Sequence, residues 1–293
     1  MSAEQPGKAG ASETVVSRFG PGSQFRHPSQ FFATAFRSLR ASLPLARRLF
    51  VRDIRARYRL SVLGFAWIVL PAIAQTAVWL FLNESQVINS GPTAIPLPLY
   101  ILLGTLLWQG FADALIAPGT QLTNAGQMLS KVSFPAESLL LAGLADAAVN
   151  TVARLVIAVP VLIYYGVSPG WGLLLAPVGL ASLLVLGFAI GVALAPFGML
   201  YHDIGRLLTV ATGFWLLVTP VAYTVSGSGL GRFLVYLNPV SPPLLTTRSW
   251  LSGGAIVPGP LMLMVMAASI VLLAAGWILF RLSIPHLVDR VGT

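Results

Sequence analysis

Between Arg52 and Leu82 the sequence passes from four arginines within eight residues to an uncharged apolar run, Val62–Leu82. A bilayer core of ~30 Å is crossed by about 20 helical residues, a length that no ordinary water-soluble core requires. Cationic side chains beside a span are retained on the cytoplasmic side, so the junction orients the chain as well as classifying it. The expectation is an integral membrane protein with its amino terminus inside.

Composition agrees. Hydrophobic residues make up 56% of the chain and charged residues 9%, against about 25% charged in a soluble domain. Mean hydropathy is +0.81. The net charge of +9 is a fingerprint of nucleic-acid binding only if it is spread over a soluble surface, and here 11 of the 18 Lys and Arg precede Leu60. Basic residues placed ahead of a span serve orientation and anionic headgroups instead, so no nucleic-acid partner is expected. The absence of cysteine removes thiolate metal sites, redox motifs and disulfides together. Residues 1–30 lack the apolar core of a signal peptide.

Three regions follow. Residues 1–30, rich in Gly, Ser, Pro, Ala and Gln, read as a disordered cytoplasmic tail. Residues 31–59 read as an amphipathic interfacial helix, with Phe32, Phe36, Leu39 and Leu43 at three- and four-residue spacing and Arg37, Arg40, Arg47 and Arg48 mostly on other faces. Pro44 is expected to divide it in two. Residues 60–293 read as an all-α transmembrane domain of six helices: Val62–Leu82, Leu97–Ala117, Leu139–Tyr165, Leu173–Leu200, Leu207–Val225 and Leu261–Phe280. Lys131, Arg206, Arg281 and Arg290 then fall inside with the amino-terminal arginines, and only Arg232 and Arg248 outside. That asymmetry suits an even number of spans and two cytoplasmic termini. Ser226–Pro260 holds a short apolar stretch and then Asn238, Pro239, Pro242 and Pro243, which suggests a re-entrant hairpin on the external side between spans five and six.

The motifs narrow the chemistry. A P-loop needs Gly-x-x-x-x-Gly-Lys-Ser/Thr, but the two lysines, Lys8 and Lys131, are followed by Ala9 and Val132; the chain has no such route to ATP hydrolysis. Gly166-Val167-Ser168-Pro169-Gly170 matches the spacing of a nucleophile elbow, yet it lies between two spans, where the same residues make a plain turn. His27, His202 and His286 are scattered and form no metal site. Asp146, Asn150 and Arg154 recur at four-residue intervals on one face of the third span. Such groups line a hydrated path or pair with a neighbouring helix, Asp113 being one partner within reach, and both readings stay open. Gly187, Gly191 and Ala195 form a ridge suited to close helix packing. Trp67, Trp108, Phe111, Trp215 and Tyr223 are divided between interfacial belts, packing and the wall of a conduit. Thr120–Pro135 reads as a cytoplasmic loop long enough to carry a docking helix for a soluble partner.

Several segments taken together resemble the membrane permeases of ABC exporters for lipid-linked polysaccharides, the class that moves O-antigen, capsule, teichoic acid and galactan. They are Arg52-Asp53-Ile54 through Arg57-Tyr58-Arg59-Leu60-Ser61-Val62-Leu63-Gly64 with Trp67 and Pro71, then Trp108 with Asn124, and Lys131-Val132-Ser133-Phe134-Pro135. Tyr201-His202-Asp203-Ile204, Thr219-Pro220-Val221-Ala222-Tyr223 and Asn238-Pro239 with Arg248 complete the set. The resemblance runs from about Phe36 to the carboxyl end. It implies a six-span half-transporter that pairs with a second copy of itself and with two copies of a separate ATPase, which would hold the ATP and magnesium; this chain would bind no cofactor. It further implies a gate helix ending at Arg52, Asp53, Arg57 and Tyr58, where a polyprenyl-linked head group gains access from the membrane. Coupling to the ATPase would fall on Asn124, Lys131, Phe134, Pro135, His202 and Asp203. His202 stands where the family pattern has arginine, so no fixed ion pair is carried over to it.

The expected function is the transmembrane subunit of an ATP-driven exporter carrying a polyprenyl-linked polysaccharide across the bacterial cytoplasmic membrane. Trp67, Trp108, Asp146, Asn150, Arg154 and Tyr223 are the candidates for the path. The alternatives are a permease for a small lipophile or drug, and a membrane enzyme acting on polyprenyl phosphates. A carrier rather than an enzyme is expected, because the few acidic residues are dispersed along the chain.

Overall fold

The computed structural model describes residues 28–59, 64, 66–131, 134–201, 203–224, 233, 235, 237–254 and 259–291, without the side chains of 28–36, 58, 126–131 and 285–291. The tail up to residue 27, His202, and the region around Arg232 lie outside the described residues. The chain divides into two units, Met1–Arg37 and Ser38–Thr293. Within the first, the described residues are the opening turns of a helix; everything below concerns the second.

Among the described residues there are eight helices and no strand: α1 (Pro28–Tyr58), α2 (Ala66–Glu84), α3 (Leu97–Lys131), α4 (Glu137–Tyr164), α5 (Gly172–Leu200), α6 (Asp203–Val218), α7 (Ser241–Leu251) and α8 (Pro260–Val291). Five of them, α2, α3, α4, α5 and α8, are long and apolar enough to cross a bilayer. The sixth expected span is different. α6 has 16 residues, about 24 Å at 1.5 Å per residue, short of the ~30 Å core. It stops at Val218 because Pro220 lacks an N–H and disfavours the helical conformation at Thr219 before it.

α3 is the axis of the bundle. Leu99, Leu103, Phe111, Ala114 and Leu122 expose none of their surface, because α2, α4, α5, α6, α7 and α8 all pack against α3. α5 crosses it most closely. A Cβ on Gly187 would collide with the carbonyl oxygen of Phe111, and one on Gly191 with that of Leu115. The small-residue ridge is therefore a packing device, in which two helix backbones meet with no side chain between them. The outer faces of α2, α4 and α8 carry exposed Ile73, Phe81, Val152, Val156, Met264 and Val271, the surface that hydrocarbon chains solvate.

Two expectations need correcting. α1 is continuous through Pro44. The ring costs the bond to the Arg40 carbonyl, but both residues are exposed on the outer face, where water or headgroups can take the place of the lost N–H. The inner stripe of α1 is Ser42, Ala46 and Leu49 rather than one running through Leu43, which is 55% exposed. Thr120–Lys131, expected as a loop, instead extends α3 without a break. Leu122 and Ala125 are buried, and the Thr120 and Thr123 hydroxyls bond back to the carbonyls of Ile116 and Gly119, so the polar extension stays helical. The Gly166–Gly170 segment is a turn joining α4 to α5, with φ of +64° and +56° at its two glycines.

Candidate functional site

One end of the bundle holds a polar cavity of about 480 Å³ between α1, α3 and α4. Its floor is a pair set by helix register. Asp113 on α3 and Arg154 on α4 face each other, and Arg154 Nη1 donates to Asp113 Oδ2 at 2.6 Å. Arg154 Nε donates to the Ile68 carbonyl at the start of α2 at 2.9 Å, so one guanidinium joins three helices. Two turns along α4, Asp146 Oδ2 receives Arg57 Nη2 at 2.7 Å and Asn150 Nδ2 at 3.3 Å. At the mouth, Asp53 pairs with Arg52 at 2.8 Å and accepts Gln121 Nε2 at 3.4 Å. The arginines grade from 56% exposed at Arg52 through 44% at Arg57 to 10% at Arg154. The cavity is therefore wet at α1 and closes at Arg154. Burial of charge so deep among apolar helices is tolerated because each cation has its carboxylate.

Three sets of residues singled out separately in the sequence meet here: Arg52, Asp53 and Arg57 from α1, Asn124 from the α3 extension, and Asp146, Asn150 and Arg154 from α4. The α4 stripe pairs with Asp113 through Arg154 and also walls the cavity. Other candidates lie elsewhere. Trp67 is 57% exposed. Trp108 is buried, its ring 5.2 Å from Phe111 and 6.3 Å from Trp215 in an aromatic cluster of the core. Asp203 is exposed and pairs with Arg206 one turn on, at 3.5 Å. Phe134 packs against a core cluster that includes Leu49, Leu122, Leu139 and Phe280, and Ser138 Oγ donates to the Pro135 carbonyl at 2.7 Å. The side chains of Tyr58 and Lys131 lie outside the described residues. Gln121 and Thr120 also line the cavity and had no signal in the sequence beyond their place on the polar turn of α3.

A second polar centre sits where α6 breaks. Arg248, 3% exposed, donates Nη1 to the carbonyls of Pro220 and Val221, each at 3.1 Å, and Nη2 to the Tyr100 hydroxyl. That hydroxyl donates to the Tyr223 carbonyl at 3.1 Å. Asn238 accepts Trp215 Nε1 at 2.9 Å and donates to Thr219 Oγ1 at 2.8 Å. Arg248 on α7 and Tyr100 on α3 thus satisfy the carbonyls that a broken helix leaves open, the condition under which irregular backbone survives within a membrane bundle. Gly104 makes room for it, since a Cβ there would lie 2.6 Å from the Val221 oxygen. Tyr223, a path candidate, belongs to this centre; its hydroxyl donates to the Val218 carbonyl at 2.7 Å.

A multi-pass, all-helical membrane protein with a charged, paired cavity at one end is the class that fold and site define. Within that class the chain is similar to curated proteins named O-antigen export system permease protein RfbA. The one from Myxococcus xanthus is 27% identical over 238 residues, covering 78% of this chain and 88% of the relative. Two from Klebsiella pneumoniae are 20% and 19% identical over 211 residues, each covering 70% of this chain and 79% of the relative. No protein-family model matches. All three relatives are permeases by name, in keeping with a transporter rather than an enzyme.

Proposed function

We propose that this chain is the transmembrane subunit of an ATP-driven ABC exporter that carries a polyprenyl-linked polysaccharide, of O-antigen type, across the bacterial cytoplasmic membrane. The observation that carries the proposal is the Arg52–Asp53, Arg57–Asp146 and Arg154–Asp113 cavity in a chain similar to O-antigen export permeases. A carrier of small lipophiles needs an apolar chamber, whereas this one sets three ion pairs and the amides of Gln121, Asn124 and Asn150 among its apolar residues. A polyhydroxylated substrate is served by such a lining; an oily one is penalised by it.

In this reading two copies pair in the membrane and two copies of a separate ATPase, holding ATP and magnesium, dock on the cytoplasmic face. α6 together with Thr219–Thr224 completes a sixth crossing, α7 belongs to a re-entrant segment on the external side, and both termini are cytoplasmic. Arg52, Asp53, Arg57 and Tyr58 form the gate at the end of the interfacial helix. Asn124, Lys131, Phe134, Pro135, His202 and Asp203 face the ATPase. The permease then needs two states with different access to the two sides, whose balance the ATPase shifts.

Gene disruption tests this. Surface polysaccharide should be lost and lipid-linked glycan should accumulate inside the cell, with recovery on re-expression. The purified chain should show no ATP hydrolysis until it is co-expressed with its ATPase. An unchanged cell-surface glycan after disruption refutes the proposal.

A further inference from the structure

Where α7 lies against the first turn of α8, a groove of about 200 Å³ opens between the two helices. Val235, Pro242, Leu245, Leu261 and Met262 make its wall, and none of the described residues that line it carries a charge. One polar group interrupts this apolar lining. Ser241, 1% exposed, has no hydrogen-bond partner for its Oγ among the described residues. Its backbone is provided for, since the Ser241 N–H donates to the Asn238 carbonyl at 3.1 Å. Serines within a helix return the hydroxyl to a carbonyl of the preceding turn, as Ser42 and Ser269 do here. Ser241 is the first residue of α7, where no helical turn precedes it. A buried hydroxyl without a partner is rare, because it gives up its hydration with nothing in exchange.

The lining restricts what can meet that hydroxyl. A phosphate or carboxylate would enter with no arginine or lysine to neutralise it. A sugar would bury several hydroxyls against an apolar wall that offers only those of Ser241 and Thr246. The occupant that fits is an alkyl chain carrying one uncharged acceptor. Volume points the same way. Small-molecule sites span ~300–1,000 Å³, so a smaller groove takes part of a molecule whose remainder lies outside it.

Depth supplies the source. Pro260–Ile284 of α8 is the stretch able to cross a bilayer, about 37 Å at 1.5 Å per residue, a little longer than the ~30 Å hydrocarbon core. Its first turn, with Leu261 and Met262 in the groove, therefore sits at the edge of that core. Leu263 and Met264 beside it are 49% and 66% exposed, a surface for lipid chains to cover. In a glycerophospholipid the ester carbonyl lies at this boundary, with the acyl chain running inward from it.

We infer that the groove between α7 and α8 seats the upper part of one acyl chain of a glycerophospholipid, whose ester carbonyl accepts the Ser241 hydroxyl. The bound chain completes the packing of α7, the helix that carries Arg248 to the broken end of α6. A polyprenyl chain, which has no ester, would leave the hydroxyl unmet.

The full chain, purified in dodecyl maltoside, is titrated by native mass spectrometry with dioleoyl phosphatidylethanolamine. Its diether analogue, which keeps the head group and the chains but has no carbonyl, is titrated alongside. The ester lipid should give one equivalent bound about tenfold more tightly than the diether. Ser241→Ala should erase that preference by weakening the ester lipid about tenfold and leaving the diether unchanged, with thermal unfolding no lower than the parent's. Leu245→Trp, which fills the groove, should remove the tight equivalent. Equal binding of ester and diether by the parent chain overturns the inference whatever the variants do, so a variant that fails to fold does not leave it open. A preference that survives Ser241→Ala overturns it too, as does undecaprenyl phosphate displacing the ester lipid from the tight site. The exporter reading is untouched by any of these results, since it stands or falls with the surface glycan.

Discussion

Removing Asp113 should harm this protein more than removing Arg154, although the two form a single ion pair. The reason lies in what each deletion leaves behind. Arg154 is 10% exposed and Asp113 33%. An aspartate stranded by Arg154→Met can rehydrate through the cavity, whereas an arginine stranded by Asp113→Leu keeps only its bond to the Ile68 carbonyl. Stranding a buried charge costs ~3–5 kcal/mol, and we expect Asp113→Leu to approach that range. Arg154→Met should cost roughly 1–3 kcal/mol, the penalty of unmade hydrogen bonds. The double variant replaces the pair by apolar side chains and should recover most of the loss, as buried pairs exchanged for hydrophobic ones often do. At about 2–4 °C per kcal/mol for a chain of this size, thermal unfolding in detergent should place Asp113→Leu roughly 6 °C or more below the parent, Arg154→Met between them, and the double variant near the parent. Equal losses in the two single variants, or a double variant as unstable as the worse single, would refute the argument from burial.

The Arg248 centre should fail even under conservative exchange. Arg248→Lys keeps the charge but cannot fork to two carbonyls and a phenol, so hydrogen exchange at Thr219–Thr224 should accelerate by roughly tenfold or more, at a stability cost of about 1–3 kcal/mol. Along α5, Gly187→Ala should push α3 away and lower stability by about 1–3 kcal/mol, while Gly198→Ala, where an added Cβ meets nothing within 4 Å, should be neutral or slightly stabilising; circular-dichroism melts of the two variants make the comparison. Gly104→Ala should mimic loss of Arg248, since its Cβ would press on both the Val221 carbonyl and the guanidinium, and the same exchange measurement reports it.

Much of this fold was legible because a bilayer imposes a length. Runs of apolar residues mark α2, α3, α4, α5 and α8 in the sequence, and no tertiary information is needed to find them. Where the sequence misled, local rules were overridden by position. Pro44 forbids a bond but not a helix when the orphaned carbonyl faces outward. Thr120–Lys131 lacks the hydropathy of a span, yet helix continuity depends on Leu122 and Ala125 reaching the core, which window averages cannot register. The end of α6 was in fact written in Pro220; the apolar residues beyond it merely concealed a break that Arg248 makes tolerable.

The site was legible in its parts and not in its assembly. Asp146, Asn150 and Arg154 share a face by helical arithmetic, but nothing in that arithmetic says that Arg57, 89 residues away, closes on Asp146. Cost supplies the missing link. An arginine as buried as Arg154 needs a carboxylate or, as at Arg248, a set of carbonyl and hydroxyl oxygens, and few acidic residues in the apolar segments are available to answer. Scarcity alone makes Asp113 its natural partner, and leaves Asp146, the other aspartate on α3 and α4, for Arg57 of α1. Matching intramembrane charges in this way pairs α3 with α4 and α4 with α1, and the cavity follows as the space those pairs enclose. Its neutrality follows as well, since each of its three arginines has its own aspartate; Arg248, as buried as Arg154, is held by two carbonyls and a phenol instead.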